Sequence, residues 1–161
     1  MRKVVSNTTP ILNLLKIGKL DLLHDLYGSI MIPQAVYREI EIGKNKNYYT
    51  DIGRIEWIKI LPIKTLSARS FLFDLDDGEA ETIILARDES VDLMIIDEKS
   101  GRRYAINLNI PVTGTIGILI KAKEQGLITE IAPLLHELND KSTWINVKLF
   151  EKALQLAGEI W

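Results

Sequence analysis

The sequence predicts an α/β protein: a three-layer α/β/α sandwich with a short, mainly parallel sheet and extra helices at its C-terminal end. Short apolar or β-branched runs alternate along the chain with segments whose apolar residues recur at helical spacing. The segments between successive runs can supply the helices that right-handed crossovers between parallel strands require. At 161 residues, the chain suits one domain that buries about 70% of its unfolded surface.

Five short runs are expected to be the strands of this sheet. The clearest is residues 91–96, which is apolar except for Asp92 and ends directly at Asp97 and Glu98. A short, nearly continuous apolar run of this kind is typical of a strand that is buried on both faces. The five predicted strands are residues 3–6, 29–32, 56–61, 91–96 and 110–112.

Capping residues and turn residues indicate where the helices begin and end. Pro10 suits the first position of a helix, where its missing N–H costs nothing. Asp76 and Glu79 have the spacing of a capping box, and Gly126 is expected to end a helix. The predicted helices are residues 10–17, 20–26, a segment that opens at Pro33, and residues 79–89, 100–107, 116–125, 129–138 and 146–160.

The segment of residues 43–54 is polar and has no apolar periodicity. It carries the basic residues Lys44, Lys46 and Arg54 against a single Asp. This composition predicts a flexible loop or lid.

Polar residues that follow the predicted strands make up the candidate functional site. In parallel α/β sheets, ligands bind outside the carboxyl ends of the strands. Oxygen-only side chains gathered there suit Mg²⁺ or Mn²⁺, and several adjacent carboxylates repel each other unless a cation lies between them. The residues expected at this edge are Asn7, Glu39, Glu79, Asp97, Thr113 and Thr115.

The acids that lie near predicted helix starts also have a purely structural interpretation. Asp76 and Glu79 can serve only as a capping box, since acids in a first helical turn interact favourably with the helix dipole. Asp97 can likewise cap the helix that starts near Lys99. Only the convergence of several acids would favour a functional role.

Composition excludes several classes of function. The net charge of −2 argues against a generally basic nucleic-acid-binding surface but does not exclude a local basic patch. Cysteine is absent, which excludes disulfides and thiol catalysis. His24 and His136 lack the spacing of a zinc protease and are expected at the surface or in packing. Without an apolar run of membrane-spanning length or a leader segment, a cytoplasmic protein is expected.

Several blocks of the sequence resemble the PIN domain family. They are VVSNTTPILNL, IPQAVYREI, LDDGEAETIILA, LMIIDEKSGRRYA and PVTGTIGILIKAKEQGLI, and they are spread over most of residues 3–128. The resemblance implies a PIN-like, Rossmann-like topology in a single domain of residues 1–161, with a core of 1–126 and a helical extension of 127–161. It also implies an Mg²⁺- or Mn²⁺-dependent ribonuclease, the toxin partner of a small antitoxin protein, and a homodimer.

One position departs from the pattern of the family. The first acid of the PIN site, an Asp at the end of strand one, is Asn7 in this chain. An Asn carbonyl can ligate a metal ion but brings no charge, so cation binding should be weaker. Glu98 is not expected to compensate, because neighbouring side chains on a strand point to opposite faces.

The resemblance implies metal-assisted hydrolysis of RNA phosphodiester bonds. Glu39, Glu79 and Asp97 would hold one or two cations, and Asn7 would orient a ligand or a water molecule. Phosphate contacts are expected from basic residues and hydroxyl groups near the acids, with the basic residues of the polar loop next in order. The nearer group is Lys99, Arg102, Arg103, Thr113 and Thr115.

Two other hypotheses stay open at this point. The first is a PIN-like module that binds nucleic acid or a protein partner without cutting. The second is an α/β protein that binds a small molecule, although the sequence lacks the Gly-rich dinucleotide fingerprint. Metal-dependent cleavage of RNA would distinguish the nuclease from both.

Overall fold

The computed structural model describes residues 2–159 of the chain. It contains the five predicted strands, with the last one shifted by about two residues toward the C-terminus. The strands are β1 (Val4–Ser6), β2 (Ile30–Pro33), β3 (Ile58–Leu61), β4 (Leu93–Ile95) and β5 (Val112–Thr113). The helices are α1 (Thr8–Lys16), α2 (Asp21–Tyr27), α3 (Gln34–Ile42), α4 (Asp77–Asp88), α5 (Lys99–Asn107), α6 (Thr115–Glu124), α7 (Ala132–Asp140) and α8 (Val147–Leu156).

The strands form one parallel sheet in the order β3-β2-β1-β4-β5. The strands β2 and β3 therefore lie on one side of β1, and β4 and β5 lie on its other side. Val4 pairs with Leu93, and Ser6 pairs with Ile95. The order of the strands thus reverses between β1 and β4, and a crevice at such a switch point is where open α/β sheets bind ligands.

Helices cover both faces of the sheet, as the predicted sandwich requires. Successive residues of β1 point to opposite faces, so Val4 and Val5 belong to two different apolar clusters. Val4 packs in the cluster that includes Ile11 of α1 and Ile118 of α6. Val5 packs in the cluster that includes Ile84 of α4. Burial on both faces explains why the strands are apolar throughout rather than alternating.

Two helix ends follow the predicted local signals, but the start of the first helix does not. The helix α1 begins at Thr8, so Pro10 is its third residue rather than its first. The missing N–H of Pro10 still costs nothing, because the first N–H groups of a helix have no partner within it. Asp76 and Glu79 form the predicted capping box at the start of α4. Gly126 has a φ of +75°, a conformation that glycine adopts at little cost, and it follows the last turn of α6. The predicted final helix is shorter in the structure, because α8 ends at Leu156. Ile160 and Trp161, which the prediction of a single domain included, lie outside the described residues, as does Met1.

The polar segment of residues 43–54 is attached to the body of the protein. Its residue Ile52 is fully buried and begins a short 3₁₀ turn. The hydroxyl of Tyr49 donates to Glu41 Oε2 at 2.6 Å. Most of the segment is a loop, as predicted, and the prediction of a flexible loop or lid did not include these apolar and aromatic contacts.

None of the helices described between residues 2 and 159 has the length and apolar character needed to cross a lipid bilayer.

Candidate metal-binding and nuclease site

The candidate site lies at the carboxyl ends of β1 and β4. The backbone N–H of Asn7, the first residue after β1, donates to the carbonyl oxygen of Ile95 at 2.9 Å. This hydrogen bond extends the pairing of the two strands to the point where both chains leave the sheet. Asn7 is only 2% exposed. Its side chain is therefore buried at the point where the two strands end.

Glu98 faces this crevice, contrary to the expectation from strand alternation. The side-chain amide of Asn7 donates to Glu98 Oε2 at 3.1 Å, and the hydroxyl of Thr9 donates to Glu98 Oε1 at 2.7 Å. The strand β4 ends at Ile95, so the alternation of side chains does not extend to residues 97 and 98. Glu98 instead precedes α5, and its carboxylate lies beside the residue that replaces the family's first acid.

Glu79 combines a capping role with an unusual electrostatic environment. Its backbone N–H donates to Asp76 Oδ1 at 2.8 Å, and its own carboxylate accepts from Asp76 N–H and from Ser100 Oγ, both at 3.4 Å. The side chain is buried, and burial together with the nearby carboxylates of Asp76 and Glu98 raises the pKa of Glu79 to about 7. Glu79 therefore both caps the start of α4 and places a carboxylate in the candidate site.

Glu39 reaches the site from α3. The hydroxyl of Thr8 donates to Glu39 Oε1 at 2.7 Å. Its carboxylate lies so close to the start of α4 that a Cβ atom at Gly78 would be 2.5 Å from both of its oxygens. Burial raises the pKa of Glu39, and the charge of Asp76 adds to this effect, while the hydrogen bond from Thr8 opposes it.

Asp97 is fixed by the N-terminus of α6. Its Oδ1 accepts from the backbone N–H of Thr115 and its Oδ2 from the hydroxyl of Thr115, both at 2.7 Å. Burial raises the pKa of Asp97, the hydrogen bonds from Thr115 lower it, and the charge of Glu98 raises it further. The predicted capping role thus concerns α6 rather than the helix that follows Asp97 directly.

Asn13 is a buried polar residue of the site that sequence reasoning missed. Its amide nitrogen donates to Asp97 Oδ2 at 3.3 Å and to Thr115 Oγ1 at 3.1 Å. Its carbonyl oxygen accepts from Thr143 Oγ1 at 2.9 Å. The available signal was a polar residue inside the apolar stripe of the first helix, where an Asn needs specific partners.

The predicted basic residues separate into two groups. Lys99 and Arg102 line a cavity of about 620 Å³, together with Thr113 and Thr115. Arg102 Nε donates to the carbonyl oxygen of Ile96 at 3.0 Å. Arg103, by contrast, is exposed on α5 and does not line this cavity.

The basic residues of the polar segment have other neighbours. Arg54 forms an ion pair with Asp51 at 3.4 Å. Lys46 lies near Lys16, whose pKa is lowered by burial and by the charge of Lys46. Lys44 lies near Glu41 of α3 and contributes to lowering its pKa, after the hydrogen bonds from Tyr49 and Tyr37. None of these three residues lines the cavity beside Asp97.

The acids of the site form a row of neighbouring carboxylates, which we call the acidic row. Its members are Asp97, Glu98, Glu79, Asp76 and Glu39, and the charges of Glu98 and Asp76 raise the pKa values of their neighbours Asp97, Glu79 and Glu39. Within residues 2–159, no three acidic or histidine side chains surround a common point closely enough to hold a metal ion as they stand. The three carboxylates predicted to share one ion thus do not converge on it in this arrangement.

The donors of the acidic row nevertheless suit a hard divalent cation. All of them are oxygen atoms, which Mg²⁺ and Mn²⁺ prefer. Mg²⁺ is commonly held by only one or two carboxylates, with water and the phosphate of the substrate supplying the other ligands. Neighbouring pairs such as Glu79 and Glu98 match that mode of binding.

Comparison with known proteins identifies the family. A search among curated proteins returns no match. A family model described as a PIN domain matches residues 3–159, nearly the whole chain. PIN domains are generally nucleases, which agrees with a crevice lined by carboxylates at the switch point of a parallel sheet. The chain belongs to the PIN domain family.

Proposed function

We propose that the protein is an endoribonuclease that hydrolyses RNA phosphodiester bonds with Mg²⁺ or Mn²⁺. The observation that carries the proposal is the position of Glu98. Hydrogen bonds from Asn7 and Thr9 hold its carboxylate beside Glu79 and Asp97. The site thereby has an additional negative charge where the family's first acid is replaced by Asn7.

In this proposal a cation is held by Glu98 together with Glu79 or with Asp97, since no three acids within residues 2–159 surround a common point. Glu39 lies at the other end of the acidic row, near Asp76. The cation, when bound, would lower the pKa of a water molecule and stabilise charge on the departing oxygen. Without a cation, burial and the charges of Asp76 and Glu98 raise the pKa of Glu79 to about 7. A bound cation would favour the ionised carboxylate, so that Glu79 could act as a ligand at neutral pH. Thr9 orients Glu98 through its hydrogen bond.

The basic residues at the cavity complete the proposed site. Lys99 and Arg102 lie next to Asp97, where a phosphodiester beside the acidic row would meet positive charge. Arg102 is held by the carbonyl of Ile96, so its guanidinium has a defined position. Phosphate contacts of this kind position a nucleic acid without reading its sequence.

Within the same proposal, the protein is the cytoplasmic toxin of a toxin–antitoxin pair and acts as a homodimer. The resemblance to PIN toxins supports this role. The exposed apolar residues Leu66, Phe71 and Phe73, which lie between β3 and α4 and do not line the cavity beside Asp97, are compatible with a protein partner. Expression of the protein alone should arrest growth, and a small antitoxin encoded beside it should relieve the arrest. Growth that is unaffected by the active protein would contradict the toxin role.

The decisive experiment is a cleavage assay on RNA with Mn²⁺ or Mg²⁺ and with EDTA. We expect cleavage only with the cation, and a loss of at least about 100-fold in Glu79→Gln, Glu98→Gln and Asp97→Asn. Asp77→Asn is the matched control, because Asp77 lies on the same helix as Glu79 but is exposed and paired with Arg69. Cleavage that persists in EDTA or in all three variants would refute the proposal.

A second candidate is a PIN module that binds RNA or a protein without cutting. Two observations favour it: Asn7 replaces an acid, and no three acids within residues 2–159 surround a common point. This candidate predicts RNA binding that is equal in EDTA and Mn²⁺, unchanged by Glu79→Gln, and accompanied by no cleavage.

A further inference from the structure

We propose that the cavity beside Asp97 binds one unstacked nucleotide of a single-stranded RNA, with its base against Trp144 and its phosphate at Lys99 and Arg102. We call this space the Trp144 cavity. It lies between the start of α6 and the segment that joins α7 to α8. The inference deepens the proposed function and rests on it, since it describes how the substrate is held next to the acidic row.

The size of the Trp144 cavity fits a nucleotide. Its volume of about 620 Å³ falls in the range of pockets that bind small organic ligands. It is continuous with the proposed reaction site, because Asp97 and Thr9 are part of its wall. A nucleotide bound there would have its phosphodiester close to the acidic row.

One end of the cavity carries positive charge. Within residues 2–159, neither Lys99 nor Arg102 forms an ion pair with an acidic side chain. The negative charge of Asp97 is met by the hydrogen bonds from Thr115 and Asn13. Lys99 is therefore available to an anion that enters from solvent, and Arg102, whose charge lowers the pKa of the nearby Asp97, adds positive charge at the same place. A phosphate is an anion that meets this requirement.

The other end of the cavity is apolar and aromatic. Trp144 is 83% exposed, a large exposed fraction for an indole that lines a cavity. Ile116, Ile120 and Leu149 form apolar wall beside it. An exposed aromatic face next to apolar side chains suits the face of a nucleobase, and such stacking is tolerant of base identity.

The two ends together favour a single-stranded occupant over a duplex. A base inside a duplex is already stacked on its neighbours, so it would have to be extruded before it met Trp144. A single strand presents its bases without that cost. The charged end and the aromatic end are also the two elements that single-strand binding sites combine.

The test is the binding of a labelled oligouridylate to the full chain in EDTA, so that binding is measured without cleavage. We expect quenching of Trp144 fluorescence on binding, and affinity about 5- to 100-fold weaker in Trp144→Ala than in the native protein. Trp144→Phe should retain most of the affinity. Trp57→Phe is the fluorescence control and should leave the quenching intact, because Trp57 stacks on His24 outside the cavity.

Salt dependence tests the charged end separately. Lys99→Ala should reduce the slope of log affinity against log salt by about 0.7, the value for one phosphate contact on a single strand. Lys148→Ala is the matched control, since Lys148 is an exposed lysine on α8 that does not line the cavity. A short RNA duplex should bind more weakly than the single strand and without quenching of Trp144.

Equal oligouridylate binding by the native protein and Trp144→Ala, with no change in fluorescence, would overturn the inference. The same holds if Trp144 is already shielded from acrylamide in the free protein and becomes accessible only when a dimer dissociates, since the surface is then a protein interface. These outcomes are separate from failure of the nuclease proposal. Cleavage that does not depend on Trp144 refutes only the cavity, whereas Trp144-dependent binding without cleavage refutes only the nuclease.

Discussion

The side-chain amide of Asn7 donates a hydrogen bond to Glu98 Oε2 at 3.1 Å, which joins the ends of β1 and β4. A carboxylate at position 7 has no proton to donate at neutral pH and would repel Glu98. An Asn at position 7, in place of an acid, therefore allows Glu98 to point into the crevice. The two residues act as a pair, in which the charge is carried by Glu98.

The Asn7→Asp variant should bind Mn²⁺ more tightly than the native protein and be less stable without it. The new carboxylate adds a ligand but loses the hydrogen bond to Glu98 and faces its charge. We expect a loss of about 1–3 kcal/mol in the free energy of unfolding in EDTA. Calorimetric titration with Mn²⁺ and urea unfolding in EDTA measure the two effects.

The double variant Asn7→Asp/Glu98→Gln is the control for this pair. It restores a donor opposite the new carboxylate and should recover most of the lost stability in EDTA. If the single variant is as stable as the native protein, the Asn7–Glu98 contact does not contribute as the structure indicates.

The Gly78→Ala variant should lower activity without lowering stability. A Cβ atom there would lie 2.5 Å from the carboxylate oxygens of Glu39, which can swing away because they end a flexible side chain. Alanine also favours the helix over glycine by up to about 1 kcal/mol. Moving the carboxylate away also breaks its hydrogen bond from Thr8, which offsets this gain. Thermal unfolding should therefore change little, while cleavage is reduced to the level of Glu39→Gln. A variant with native cleavage would show that the position of Glu39 has no functional role.

Stability should fall as the pH rises from about 5 to about 8, and Glu79 should be a main cause. Its pKa is about 7 in the folded protein, against an ordinary value of 4.5, so the folded state binds the proton more tightly than the unfolded state. The contribution is fully present below about pH 4.5 and is lost as the pH rises through about 7, by up to about 3 kcal/mol.

Urea unfolding across this pH range measures the effect. Glu79→Gln should flatten the profile, and Mn²⁺ should restore stability at the alkaline end by favouring the ionised carboxylate. A native profile that is already flat would contradict the raised pKa.

The Asp97→Asn variant should lose both cleavage and stability, because Asp97 also anchors the start of α6. Loss of charge-assisted hydrogen bonds from Thr115 should cost about 1–3 kcal/mol.

Asn146→Ala is the control for stability, since Asn146 caps α8 through the N–H of Leu149 and lies outside the cavity. Its expected loss is about 0.5–2 kcal/mol. Cleavage per folded molecule should be unchanged in Asn146→Ala. If Asn146→Ala loses cleavage to the same extent as Asp97→Asn, the effect of Asp97→Asn is explained by the loss of stability alone.

Much of the fold was predictable because its signals are local. Strands buried on both faces leave continuous apolar runs, such as the run ending at Ile96, and the capping box of Asp76 and Glu79 marks a helix start. The predicted parallel α/β sandwich is confirmed. Glycine and proline positions added the helix ends, to within a few residues.

The site was less predictable, because a difference of one residue in the end of a strand changes the direction of the side chains that follow it. The strand β4 ends at Ile95, and beyond that residue side chains no longer alternate between the two faces of the sheet. The prediction extended this alternation to Glu98 and so placed its side chain away from the crevice, whereas the structure places it toward Asn7. Asn13 was missed because its partners Asp97 and Thr143 are far away in sequence. The anchoring of residues 43–54 by Ile52 was hidden by the polar composition around it.

The pairing of β1 with β4 also determines when the crevice can exist during synthesis. Val4 emerges from the ribosome early, but its partner Leu93 and the adjoining acids emerge only after more than half of the chain. Loop closure over such a separation is slow compared with local helix formation. A nascent chain that has made only the first three strands therefore carries Asn7 and Glu39 but has no complete crevice. During that interval the growing chain has no complete candidate site.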